Sequence, residues 1–157
     1  MVRLADLSEN ERKRALGRIK DLPGFERRPW VTGAPLAQRR LAIITTSGIH
    51  RKGDTPFSDG DAAAEYRVIP GDVRGDQLIM SHLSINFDRT GFQQDMNVVF
   101  PIDRVKELVA AGVLGSVADF HYAFMGAAPI PLLAPRAQQI AGLLKKDRVD
   151  AVLLSPV

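Results

Sequence analysis

The chain of 157 residues contains no cysteine. Within it there is accordingly no disulfide, no thiolate zinc or iron–sulfur site and no thiol nucleophile. Aromatic residues are scarce at 6%, with a single tryptophan, and no basic stripe interleaved with aromatics is present, so nucleic acid is not an expected partner. No apolar run approaches the roughly 20 residues needed to cross a bilayer. The segment Met1 to Lys20 is charged and periodic and lacks the apolar stretch of a secretory signal. A cytoplasmic protein without membrane contact is expected. Three familiar signatures are also missing. Without G-x-x-x-x-G-K-[ST] or G-x-G-x-x-G, P-loop nucleotide hydrolysis and standard dinucleotide binding have no support. Without G-x-S-x-G, the usual hydrolase elbow has none either.

What the chain does have is 45% hydrophobic residues and 25% charged residues spread along its length, with a net charge of +3. That composition suits one compact domain over residues 1–157. Ser8 followed three residues later by Glu11 reads as a capping box opening a helix over Glu9–Lys20. Pro23, Gly24, Pro29, Gly33 and Pro35 then preclude a helix, so residues 1–40 are expected to form a helix and an extended arm, with Trp30 packing onto the sheet. The run Leu41–Thr46 is apolar on both faces and β-branched, as a buried parallel strand should be. Tyr66–Ile69, Leu78–Leu83, Ser116–Phe124 and Val149–Leu154 are further strands by the same reading. Pro101 is placed to open a helix that Gly112 closes, and Ala134–Lys146 makes another, ending in Lys145 and Lys146. Strands alternating with helices predict an α/β fold, a three-layer sandwich with a mostly parallel, doubly wound sheet of flavodoxin or Rossmann type.

In such sheets ligands sit at the carboxyl ends of the strands. The residues expected there are Thr45, Thr46, Ser47, Gly48 and His50, then Ser81 and His82, with His121 nearby, so all three histidines fall in one group. Three histidines, with Asp95, are one way to hold a catalytic metal, but no compact metal motif such as H-E-x-x-H is present. For each histidine taken singly, a hydrogen bond to a neighbouring loop is the simpler reading. Asp95 and Asn97, just ahead of Pro101 and Asp103, either cap the following helix or receive an anionic ligand at its start.

A family resemblance is carried by the run Leu41 to His50, by Pro56-Phe57 and by Tyr66-Arg67-Val68-Ile69-Pro70-Gly71-Asp72. It continues through Ser81-His82, Asp95 to Arg104, Gly115 to Ala118, His121, Phe124-Met125-Gly126 and Val149 to Val157. In this order the segments resemble the selenoprotein B family of glycine, sarcosine, betaine and D-proline reductases, from about Pro29 onward. Ser47 departs from the glycine expected of the family.

The resemblance implies an oxidoreductase that reductively cleaves the carbon–nitrogen bond of a small amino acid or amine. A dithiol or thioredoxin-type reductant returns the electrons, and other reductase subunits take part, in some members one with a covalent pyruvoyl group. No cofactor of its own is implied for this chain. The expected ligand-binding residues are Thr45, Thr46, Ser47, Gly48, Asp95, Asn97, Met125 and Gly126, and the catalytic candidates are His50, His82 and His121. In the family a selenocysteine or cysteine directly follows the strand corresponding to Val149–Val157, with another cysteine shortly after. Here the sequence stops at Val157, so the chain is expected to be inactive as supplied, truncated where a selenocysteine codon was read as a stop. Two alternatives stand beside this reading: a non-catalytic binding or assembly subunit of the same fold, self-associating through its last strand, and a metal-dependent enzyme using His50, His82 and His121.

Overall fold

A computed structural model of the chain describes residues 3–20, 24, 31–57, 64–83, 89–126 and 128–157. The chain divides into two units, Met1–Thr32 and Gly33–Val157. The first holds helix α1, Glu9–Lys20. Its start is the capping box expected from sequence: the Ser8 backbone N–H donates to Glu11 Oε2 at 3.1 Å and the Glu11 N–H to Ser8 Oγ at 3.4 Å. Pro23, Pro29 and Trp30, on which the expected arm turns, lie outside the described residues.

The second unit is built on β1, Arg40–Thr45. Its apolar, branched residues fit a strand flanked on both sides, and it pairs in parallel with β5 (Ser116–Val117), β6 (Phe120–Phe124) and β7 (Ala151–Ser155). Strand β3, Tyr66–Pro70, adds antiparallel to β6. The result is α/β with a mostly parallel sheet. Successive β1 residues enter different clusters, as the two-residue period of a strand requires. Ile43 packs with Phe100 and with Ile102 and Val105 of helix α3, Ile102–Ala110, while Ile44 packs with Tyr122, Phe124 and Ile140 of helix α4, Ile130–Lys146. A short helix α2, Thr90–Gln94, precedes α3. Gly112 follows α3 with φ +70°, the left-handed stop expected of it.

Several expectations are corrected. Leu78–Leu83 yields only β4, Leu78–Met80, which pairs antiparallel with β2, Ile49–Arg51, in a separate two-stranded sheet. The predicted strand Ser116–Phe124 is broken at Ala118–Asp119, where Asp119 turns its carbonyl to the Gly71 N–H at 2.8 Å. Pro101 stands at the N-cap of α3, not in its first turn. Helix α4 starts four residues earlier than predicted and carries Pro135 within it. The last strand starts at Ala151 and is not buried: Val152, Leu153 and Leu154 are 41%, 37% and 68% exposed. The cause is position, because among the described residues β7 pairs only with β1. No helix among the described residues is long and apolar enough to cross a membrane.

Candidate functional site

At its carboxyl end β1 runs into a tight turn. The Thr45 hydroxyl donates to Ser47 Oγ at 3.0 Å and the Ser47 N–H to Thr45 Oγ1 at 3.2 Å. Both side chains are buried, so they shape the turn and their polar groups are spent on each other. Gly48 adopts φ +67°, which glycine reaches without the steric cost other residues meet. Its N–H donates to Phe124 O at 2.8 Å, at the end of β6, and its carbonyl accepts from the Ser81 N–H at 2.9 Å. A β-carbon there would lie 3.1 Å from the His82 backbone. One glycine thus gathers the ends of β1 and β6 and the segment after β4.

Thr46 gathers the rest. Its N–H donates to Ser155 O at 3.2 Å, its hydroxyl oxygen accepts from the Val157 N–H at 2.9 Å, and Ser155 Oγ donates to Val99 O at 3.0 Å. Gly126, with φ +82°, passes so close that a β-carbon would lie 2.8 Å from Thr46 Cβ. Met125, beside it, is buried against Phe57. Gly126→Ala is expected to cost about 2 kcal/mol, combining a left-handed backbone with this clash. Gly53→Ala, where φ is +91° and the space is open, should cost about half as much. Equal urea midpoints for the two variants would show that Gly126 does not press on Thr46.

Of the sequence-predicted residues, Thr45, Thr46, Ser47, Gly48, Met125 and Gly126 come together here. Asp95 and Asn97 are committed to a helix start. Asn97 Nδ2 donates to Asp95 Oδ1 at 2.8 Å and to Asp103 Oδ2 at 3.0 Å, and its Oδ1 accepts the Asp103 N–H at 3.0 Å. This is the capping half of the two readings, and the Asn97 hydrogen bonds hold the Asp95 carboxyl below its ordinary range.

The histidines do not form one group. His50, in β2, places Nε2 2.7 Å from Ser81 Oγ and Nδ1 2.9 Å from Arg51 O. His82 is buried beside Gly48, and burial, then Arg89, lowers its pKa. The Arg89 guanidinium donates to the His82 carbonyl. His121, expected near the strand ends, is the second residue of β6, at the opposite end of that strand from Met125. Its Nδ1 accepts the Ile43 N–H at 2.9 Å, and its ring meets Phe100 edge-on at 5.5 Å between centroids. Among the described residues no group of histidine and carboxylate side chains is placed to hold a metal ion, so the metal reading of His50, His82 and His121 loses its geometric basis. The Ser81 hydroxyl, as partner of His50, was not singled out from sequence. The two are 31 residues apart, and a three-residue strand is too short for its period to reveal the pairing.

Polar groups collected at the carboxyl ends of parallel strands are the arrangement by which open α/β sheets hold ligands and catalytic groups. The chain belongs to the glycine/sarcosine/betaine reductase selenoprotein B family, whose pattern matches residues 21–157. It is 33% identical over 123 residues to the D-proline reductase subunit gamma of Acetoanaerobium sticklandii, covering 76% of this chain and 49% of that protein. To the glycine reductase complex component B subunit gamma of Symbiobacterium thermophilum it is 31% identical over 141 residues, covering 85% and 32%. The betaine reductase complex component B subunit beta of Peptoclostridium acidaminophilum is 24% identical over 123 residues, covering 76% and 28%. The chain therefore spans about half the length of the first of these relatives and about a third of the others. No solved structure is significantly similar to it.

Proposed function

We propose that this chain is the ligand-handling α/β part of a cytoplasmic reductase subunit. It would act with other reductase subunits on a small amino acid or amine such as glycine, sarcosine, betaine or D-proline, its sheet being the doubly wound, three-layer frame of the sequence reading. The supporting observation is the convergence of β1, β6 and β7 on Thr46, whose hydroxyl holds the Val157 N–H at 2.9 Å. The family resemblance implies a selenocysteine or cysteine directly after this strand, and such a group would stand beside Thr46, Gly48 and Gly126. A selenolate or thiolate there would attack the substrate, with a dithiol as the electron source and a pyruvoyl-bearing subunit as a partner. The 157 residues contain no cysteine, so in this reading the nucleophile comes from outside them.

Titration of isotope-labelled chain with each of the four compounds tests this by NMR. The expected result is that at least one of them shifts the amide signals of Thr46, Gly48 and Gly126 in a saturable way. Shifts confined to other residues, or none, would remove the substrate-site reading. The second reading, an assembly subunit, draws on the exposed Val152, Leu153 and Leu154 of β7, an open edge that a second copy or another subunit could extend. It predicts no ligand-dependent shifts in the same titration.

A further inference from the structure

The bond between His50 and Ser81 is not needed to staple their segments. The Ser81 N–H already donates to Gly48 O at 2.9 Å, and Ile49 pairs with Met80 in the ladder of β2 and β4. The side chains add something chemical. Nδ1 of His50 lies 2.9 Å from the Arg51 carbonyl, which only accepts, so Nδ1 carries the ring proton. Nε2 is then a bare acceptor, 2.7 Å from Ser81 Oγ, and receives that hydroxyl. His50 is 2% exposed, its ring edge-to-face with Phe57 at 6.3 Å between centroids, whereas Ser81 is half-buried. Ser81 is therefore the more accessible residue of the pair. A base held in one tautomer by a third group, with a hydroxyl within hydrogen-bond reach, is the arrangement that activates an alcohol.

We infer that His50 and Ser81 are the proton-transfer pair of the strand-end site, with Ser81 Oγ meeting the reacting groups and His50 storing the proton. The reaction assigned to the pair rests on the reductive reading above, while the pair itself rests on geometry. A thiol or selenol that ionises at the site gives its proton to Ser81 Oγ as the Oγ proton passes to Nε2. This leaves an anion and an imidazolium whose Nδ1–H stays on the Arg51 carbonyl. The anion attacks the substrate carbon and forms a carbon–sulfur or carbon–selenium bond; the carbon–nitrogen pair leaves with the amine, which takes the Oγ proton as Nε2 returns its own to Oγ. One proton has moved from thiol to amine and the pair is restored; a second thiol then attacks the sulfur or selenium, a disulfide or selenenyl sulfide forms, and the carbon leaves with the electron pair and that thiol's proton.

The test is reaction of the full chain with p-nitrophenyl acetate, which reports a base-activated hydroxyl whatever its natural reaction. The expected result is one acetyl group per chain, located on Ser81 by peptide mass spectrometry. The label should vanish in Ser81→Ala and form about a hundredfold more slowly in His50→Gln, as loss of a general base requires. Nitrogen-15 NMR should show His50 protonated at Nδ1. Acetylation elsewhere, or equal rates in wild type and His50→Gln, overturns the pair. Circular dichroism checks that His50→Gln and Ser81→Ala, a change at a half-buried residue, are folded. The two failures separate cleanly: an inert Ser81 with amine binding intact removes the pair alone, whereas an acetylated Ser81 without amine binding removes the reductive reading and leaves the activated hydroxyl.

Discussion

Replacing Asp147 by alanine is expected to lower the unfolding free energy by about 3 kcal/mol, the range for breaking a largely buried ion pair by removing one partner. Its carboxylate accepts from Arg40 at 2.5 and 3.1 Å and from the backbone N–H groups of Asp119 and Phe120 at 2.7 and 3.3 Å. Those two amides belong to Asp119, in the break between β5 and β6, and to Phe120, the first residue of β6. Arg40 in turn donates to Val117 O at 2.6 Å and to Asp147 O at 2.7 Å. One carboxylate thus joins the start of β1, the break and the end of α4. Burial pushes the Asp147 carboxyl up, but the hydrogen bond from Arg40 and those from Asp119 and Phe120 outweigh it, and the group stays below its ordinary range. Arg40 keeps an ion pair to the exposed Asp119 at 2.8 Å, which holds the cost at the lower end of that range. Urea midpoints at neutral pH measure the effect. A loss below that of a typical exposed ion pair, about 0.5 kcal/mol, would show that the Arg40 cluster does not join these elements.

Why this cluster escaped the sequence reading while others did not is a matter of range. The α1 capping box, β1 as an apolar strand and the Gly112 stop were legible because their determinants lie within a few residues of one another. The Arg40–Asp147 contact joins residues 107 positions apart, and nothing in either local sequence announces the partner. The error over His121 has a similar origin. Reading Ser116–Phe124 as one strand hid the break at Ala118–Asp119, so His121 was assigned to the wrong end. Exposure of β7 could not be read from Val152, Leu153 and Leu154 at all, since an apolar run looks the same in a central strand and at an edge. That Thr46 and Gly48 follow the end of β1 was legible, because it depends only on where a parallel strand stops and on the turn residues that follow, whereas Gly126 came only from the family resemblance.

Lowering the pH from about 6.5 to about 4 is expected to cost the fold roughly 3 kcal/mol through His121. Burial above all, together with the charges of Lys106 and Arg40 and against that of Asp147, brings the pKa of this ring down to about 4. The hydrogen bonding agrees. Nδ1 accepts the Ile43 N–H at 2.9 Å, so a proton there would set donor against donor, and the buried Nε2 has no hydrogen-bond partner among the described residues. The unfolded chain takes up a proton near the ordinary histidine value of about 6.5, and the folded chain refuses it until about 4. The unfolded state therefore binds more protons within this window. Stability is fully present above the upper value, falls by about 1.4 kcal/mol per pH unit across the window, and levels off below the lower one. His82, also lowered by burial and Arg89, pulls in the same direction, so the wild-type slope exceeds that of one site. Urea unfolding of wild type and His121→Phe across the window separates the two contributions. The variant strands the Ile43 N–H, which costs about 1–3 kcal/mol at neutral pH, but its pH slope should be shallower by about one proton. Parallel slopes would mean that His121 takes up its proton equally readily in both states, and that the Ile43 bond does not hold the ring neutral.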